Sequence, residues 1–172
     1  MKSIRSNIVR GKIILVSLAS FGQIIGCNSN QEKPKEAGPP LIPPQVNVAL
    51  TAIDDKPLEI GQKPHVGRQV MVEGTISDPN VNICVLVRPM TTDTWWVQNL
   101  PSPPGKIDEK TWRWRTMALC GTDTLGLNED FEIVAIAEGK RSICQLGKQI
   151  KAEEFPRNLP RSEIITVRRA KN

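Results

Sequence analysis

The sequence predicts an all-β domain, an antiparallel sandwich of about seven short strands, and three observations carry the prediction. From Gln45 onward, apolar residues recur with period two in short runs, the periodicity of a strand with one face buried. Clusters of Pro, Gly, Asp and Asn punctuate those runs at short intervals, as in sandwiches. The composition fits as well: 39% of the 172 residues are apolar, with 14 Pro and 12 Gly, enough to fill a core and to break long helices.

Taken in order, residues 45–53 (QVNVALTAI) alternate apolar and polar side chains. Residues 67–77 place Val70, Val72, Gly74 and Ile76 on one face. Residues 81–90 (VNICVLVRPM) form a continuous apolar run, expected of a strand covered on both faces or central in the sandwich. In 94–100, Trp95 and Trp96 are consecutive, so they face opposite sides: one enters the core, and the other faces out or lies under a loop. In 111–121, Trp112 and Trp114 share one face and Arg113 and Arg115 the other. Residues 130–138 and 162–169 complete the set, and 142–147 is the one short helical candidate. Turn residues at 78–80, 89–93, 101–105, 121–128 and 156–160 separate the strands.

The chain ahead of Gln45 has a different character. Lys2, Arg5, Arg10 and Lys12 stand before an apolar run at 13–25, with no acid in the first 27 residues. That run is too short for a bilayer-spanning helix of about 20 residues and reads as a signal-peptide core. It ends in Ile24-Ile25-Gly26-Cys27. Residues 1–27 resemble a bacterial lipoprotein signal with its lipobox, although Leu and then Ala or Ser are commoner at the first two box positions. The resemblance implies cleavage after Gly26, diacylglyceryl modification of the Cys27 sulfur, and membrane attachment through that lipid. An ordinary signal peptide or uncleaved anchor with an incidental cysteine is the alternative. Residue 28 is Asn rather than the Asp that retains such proteins in the inner membrane of enteric bacteria, so the outer membrane or cell surface is favoured. Residues 27–44, with five prolines and no aromatic, are expected to form a disordered tether with a reach of roughly 50 Å. The expected organisation is therefore 1–26 signal peptide, 27–44 lipidated cysteine and linker, and 45–172 domain.

This division removes an apparent clue. The formal charge of +5 suggests an anionic partner. Four of the 23 basic residues leave with the signal peptide, so 19 basic side chains face 18 acidic ones in the mature chain. No nucleic-acid partner is expected.

The domain at 45–169 resembles small immunoglobulin-like modules of bacterial secreted proteins. The cues are the apolar strand ending in Arg88-Pro89, the Trp-Trp-Val-Gln strand, the Trp-Arg strand ending in Cys120-Gly121, and the Phe-Glu-Ile-Val-Ala-Ile-Ala strand. In that topology the third and penultimate strands are neighbours. If strands alternate in direction, Cys84 and Cys144 fall at one end and Cys120 at the other, so the resemblance implies a Cys84–Cys144 disulfide. A bridge from Cys120 to either partner, or three reduced buried thiols, are the alternatives.

Chemistry is sparse. His65 is the single histidine, in an expected exposed turn, and three widely spaced cysteines with one histidine do not form a zinc pattern. Asp78, Asn80, Asp93, Asp123 and Asp130 read as turn residues. No calcium loop or phosphate-binding Gly-rich loop is present. The expectation is a non-enzymatic module without metal or cofactor, anchored in the cell envelope through Cys27 and serving as a binding or scaffold module for another envelope protein. The second expectation is a carbohydrate-binding module in which Trp96, Trp112 or Trp114 stacks on sugar rings; the face shared by Trp112 and Trp114 reads first as a core face. The loop at 100–105 would cover one of the Trp strands or border a binding groove.

Overall fold

The computed structural model describes residues 45–59, 61–139 and 143–171. The lipobox, Cys27 and the tether lie outside the described residues. Eleven strands are present among the described residues: β1 (Val48–Ile53), β2 (Lys56–Pro57), β3 (His65–Val66), β4 (Gln69–Ile76), β5 (Asn82–Pro89), β6 (Thr94–Val97), β7 (Gly105–Lys106), β8 (Trp112–Leu119), β9 (Asp130–Glu138), β10 (Gln149–Lys151) and β11 (Ile165–Arg169). They form two sheets, β2-β1-β4-β8-β7 and β10-β6-β5-β9-β11-β3. The seven expected strands are β1, β4, β5, β6, β8, β9 and β11. Their distribution, first, second and fifth against third, fourth, sixth and seventh, is that of a two-sheet β-sandwich and differs from the constant-type immunoglobulin division in placing the fourth strand beside the third.

Four further strands of two or three residues complete the sheet edges, and two of them qualify the expectation. His65 lies in β3 rather than in a turn, and β3 runs parallel to β11, so the second sheet is not wholly antiparallel. Of the helical candidate at 142–147, the described residues 143–147 form a bend and a turn rather than a helix. The helical residues among those described form one 3-10 turn, Ala152–Glu154.

Alternation places Val70, Val72 and Ile76 of β4 opposite Ile83, Val85 and Val87 of β5 and Phe131, Ile133 and Ala135 of β9 in the core between the sheets. Trp114 joins them, 1% exposed. It sits directly across from Gly74 in the β4–β8 ladder, and a Cβ on Gly74 would collide with the indole. The absent side chain makes room for the largest one.

The second sheet is covered on its other face too. Cys84, Leu86, Val134 and Ile136 point away from the first core into a second cluster with Trp95, Val97 and Ile150. Trp95 packs on Phe155 at a centroid distance of 5.1 Å, with the Arg88 guanidinium 4.9 Å from the Trp95 ring. This double coverage explains the unbroken apolar runs of β5 and β9. The Cys84–Cys144 disulfide, with Cα atoms 5.3 Å apart, ties the segment after β9 to the same face. Cys120 is free and buried in the first core.

Candidate ligand-binding groove

A groove of about 560 Å³ is lined by residues of β5, β6, β8 and β9 and by the turns that carry Leu125 and Leu146. Its floor is continuous with the cores: Val87, Val97 and Phe131 line it and are buried. Trp96 forms one wall, half-buried, on the opposite face of β6 from Trp95. Leu119, Leu125 and Leu146 form the rim, and the last two are each 67% exposed.

Each rim element is held by local chemistry. Gly126 adopts φ +93°, a left-handed conformation that disfavours other residues, and a Cβ there would meet the Phe131 ring. Thr122 Oγ1 accepts from the Leu125 amide at 3.1 Å, closing the 122–125 turn. Arg169, buried at the C-terminal end of β11, donates from Nη1 to the carbonyls of Thr122 and Leu125. On the other side, the Gly147 amide donates to the Val97 carbonyl at 2.9 Å, placing Leu146 over the opening.

The polar groups at the groove are largely committed. Gln98 is buried; its Nε2 donates to the Trp96 carbonyl at 3.0 Å, and its Oε1 accepts from the Leu119 amide at 2.9 Å. This one amide bridges β6 of one sheet and β8 of the other. The Thr92 hydroxyl donates to the Pro89 carbonyl at 3.3 Å. Glu129 is the one titratable side chain among the described lining residues.

The three tryptophans expected to stack on sugars are not brought together. Trp96 lines the groove. Trp114 takes the core alternative and not the stacking one: it is buried, because the inward face of β8 closes on Gly74 and the second sheet. Trp112 is half-buried against the core at the opposite end of the strands, paired with Ile76. The loop at 100–105 borders a separate cleft of about 230 Å³ against Pro79 and Val81, with no tryptophan in its lining. Sequence reasoning passed over Leu125 and Leu146. The available signal was a leucine followed by glycine inside a turn, where polar residues are the rule.

Outside the groove, ligand atoms of Cys84, Glu138 and Cys144 lie within 4.8 Å of one another. The two sulfurs are bonded to each other, and Glu138 Oε2 accepts from the Ile143 amide at 2.9 Å, so the cluster is a structural staple. Burial pushes the Cys120 thiol up to about 12, which keeps it protonated and unreactive. His65 is exposed. Asp130 is bound by Lys63 at 2.8 Å and Arg168 at 3.1 Å, joining the ends of β3, β9 and β11.

No helix among the described residues is long and apolar enough to cross a membrane. No family model and no curated protein matches this chain.

Proposed function

We propose that this chain is a non-enzymatic binding module of the bacterial cell envelope, attached to a membrane through a lipid on Cys27. The observation that supports the binding half is the groove: a concave, preformed, mostly apolar site of about 560 Å³, within the size range of ligand sites in general. The anchoring half rests on the basic head, the 13-residue apolar run and Ile24-Ile25-Gly26-Cys27. Several acyl chains anchor far more firmly than one, at about 0.8 kcal/mol per buried CH₂. Asn28 favours the outer membrane or the cell surface.

Metabolic labelling with palmitate, followed by mass spectrometry of the wild type and Cys27→Ala, tests the anchor. The expected result is a labelled chain beginning at Cys27 and an unlabelled variant. An unlabelled, full-length wild type overturns it.

A carbohydrate-binding reading keeps one supporting observation, the half-buried Trp96 in the groove wall. Binding on a glycan array that Trp96→Ala abolishes would favour it.

A further inference from the structure

Resting on the reading of the groove as the binding surface, we propose that it takes an acyl chain carried on an uncharged head. Three properties of the site select this chemistry over sugars, peptides and charged lipids.

The first is the state of the polar groups. A sugar ring or a peptide backbone brings hydroxyls, amides and carbonyls that need partners when they leave water. The Gln98 amide is used at both ends and the hydroxyls of Thr92 and Thr122 are engaged with backbone, which leaves the exposed Thr91 hydroxyl and the Glu129 carboxylate as the lining side chains open to a polar ligand. Strand β6 is no free edge for an added peptide strand either. It is paired on one side with β5 and on the other with β10, and its Val97 amide and carbonyl are bonded to Lys148 and Gly147. An acyl chain is the ligand that asks nothing of these groups.

The second is continuity with the core. Val87, Val97 and Phe131 are almost completely buried yet line the groove, so an entering chain extends the protein's own apolar packing. The exposed Leu125 and Leu146 then close against its outer side. Exposed leucines on two separately anchored turns carry a solvation cost that this contact relieves.

The third is charge. The Arg169 guanidinium lies buried under the 121–126 lip and is bound to the Thr122 and Leu125 carbonyls, so the charge that faces the opening is that of Glu129, and a carboxylate or phosphate head beside it meets repulsion. That selects an uncharged head such as glycerol or an alcohol.

The test uses the full-length chain carrying Cys27→Ala, which bears no acyl chain of its own. The probe is a monoacylglycerol brominated on its acyl chain, kept below its micelle concentration. Bromine beside Trp96 quenches its fluorescence. We expect saturable quenching, a one-to-one adduct in native mass spectrometry, and loss of most quenching in Trp96→Phe with the adduct retained. The double variant Leu125→Asp/Leu146→Asp should weaken binding roughly tenfold or more. Its unfolding midpoint should stay unchanged, because both side chains are largely exposed. A brominated fatty acid at pH 8 should bind about tenfold more weakly than the monoacylglycerol. Absence of saturable quenching, equal binding by the double variant, equal binding of the fatty acid, or displacement by a soluble oligosaccharide or an apolar peptide at matched concentration each overturns the proposal. The outcome is separable from the anchor: lost quenching with intact palmitate labelling of the wild type removes the acyl ligand and leaves the anchored module.

Discussion

Arg169 holds the Leu125 turn in place. Its Nη1 donates to the Leu125 carbonyl and, at 2.6 Å, to the Thr122 carbonyl, while the side chain is buried beneath the 121–126 loop. One planar cation thereby satisfies two carbonyls of an irregular segment and fixes one lip of the groove.

Replacing Arg169 with Met should therefore cost roughly 2–3 kcal/mol, the scale of hydrogen bonds to a charged donor together with carbonyls left unsatisfied. Arg169→Lys should recover only part of that, because an ammonium does not reproduce the guanidinium geometry. Urea unfolding measures both. A Met variant as stable as wild type would contradict the assigned role.

Gly74 and Trp114 should behave as a coupled pair. Gly74→Ala places a methyl group against both the Trp114 indole and the Ala49 carbonyl, and should destabilise by about 1–3 kcal/mol or more. Trp114→Phe should relieve part of that penalty in the double variant. The Trp114 Nε1 has no hydrogen-bond partner, so losing it forfeits no hydrogen bond. A double-mutant cycle reads the coupling, and strict additivity would argue against direct contact.

The Cys84–Cys144 disulfide closes a separation of 60 residues, for which the chain-entropy argument predicts about 4 kcal/mol of stabilisation. Cys84→Ala/Cys144→Ala should lower the unfolding free energy by an amount of that order. Thiol titration of the Cys27→Ala chain should find no reactive thiol when native, because Cys120 is buried and its pKa is raised to about 12. It should find one after denaturation and three after denaturation with reduction.

The hydrogen bond from Lys63, helped by its charge and by Arg168, holds the Asp130 carboxyl below the usual carboxylate range. A depressed folded-state pKa means that the native state releases the proton more readily than the unfolded chain does. The stabilisation is thus present above the unfolded value, about 3.9, and is lost as pH falls through the lower folded value. Stability measured between pH 6 and pH 2 should fall less steeply in Asp130→Asn than in wild type. Raised ionic strength should also blunt the contribution, since these ion pairs are partly exposed.

Much of the fold was legible because each long strand carries its own period. Alternation in 67–77 and 111–121 marks one buried face, and the unbroken run at 81–90 marks two. Strands β2, β3, β7 and β10 were not legible, since two or three residues are too few for any periodicity to register. The β1–β2 hairpin illustrates the loss. Asp54 and Asp55 both take positive φ, forming a tight two-residue turn without the glycine that usually announces one.

The candidate site was far less legible. Period two says that Trp112 and Trp114 share a face, but not what lies across from it. Gly74 lies 40 positions before Trp114, and only the β4–β8 register brings them together.

By itself, the sequence determined the sheet-forming runs, the near-neutral charge of residues 45–172 beside the basic first 27 residues, and a short list of possible cysteine pairs. All of these depend on neighbours along the chain. The tertiary structure decided which tryptophan is core, which is groove wall, and that Leu125 and Leu146 line one opening. The groove is assembled from segments around Trp96, Leu125 and Leu146, and no local pattern records which of a strand's two faces the rest of the protein will leave uncovered.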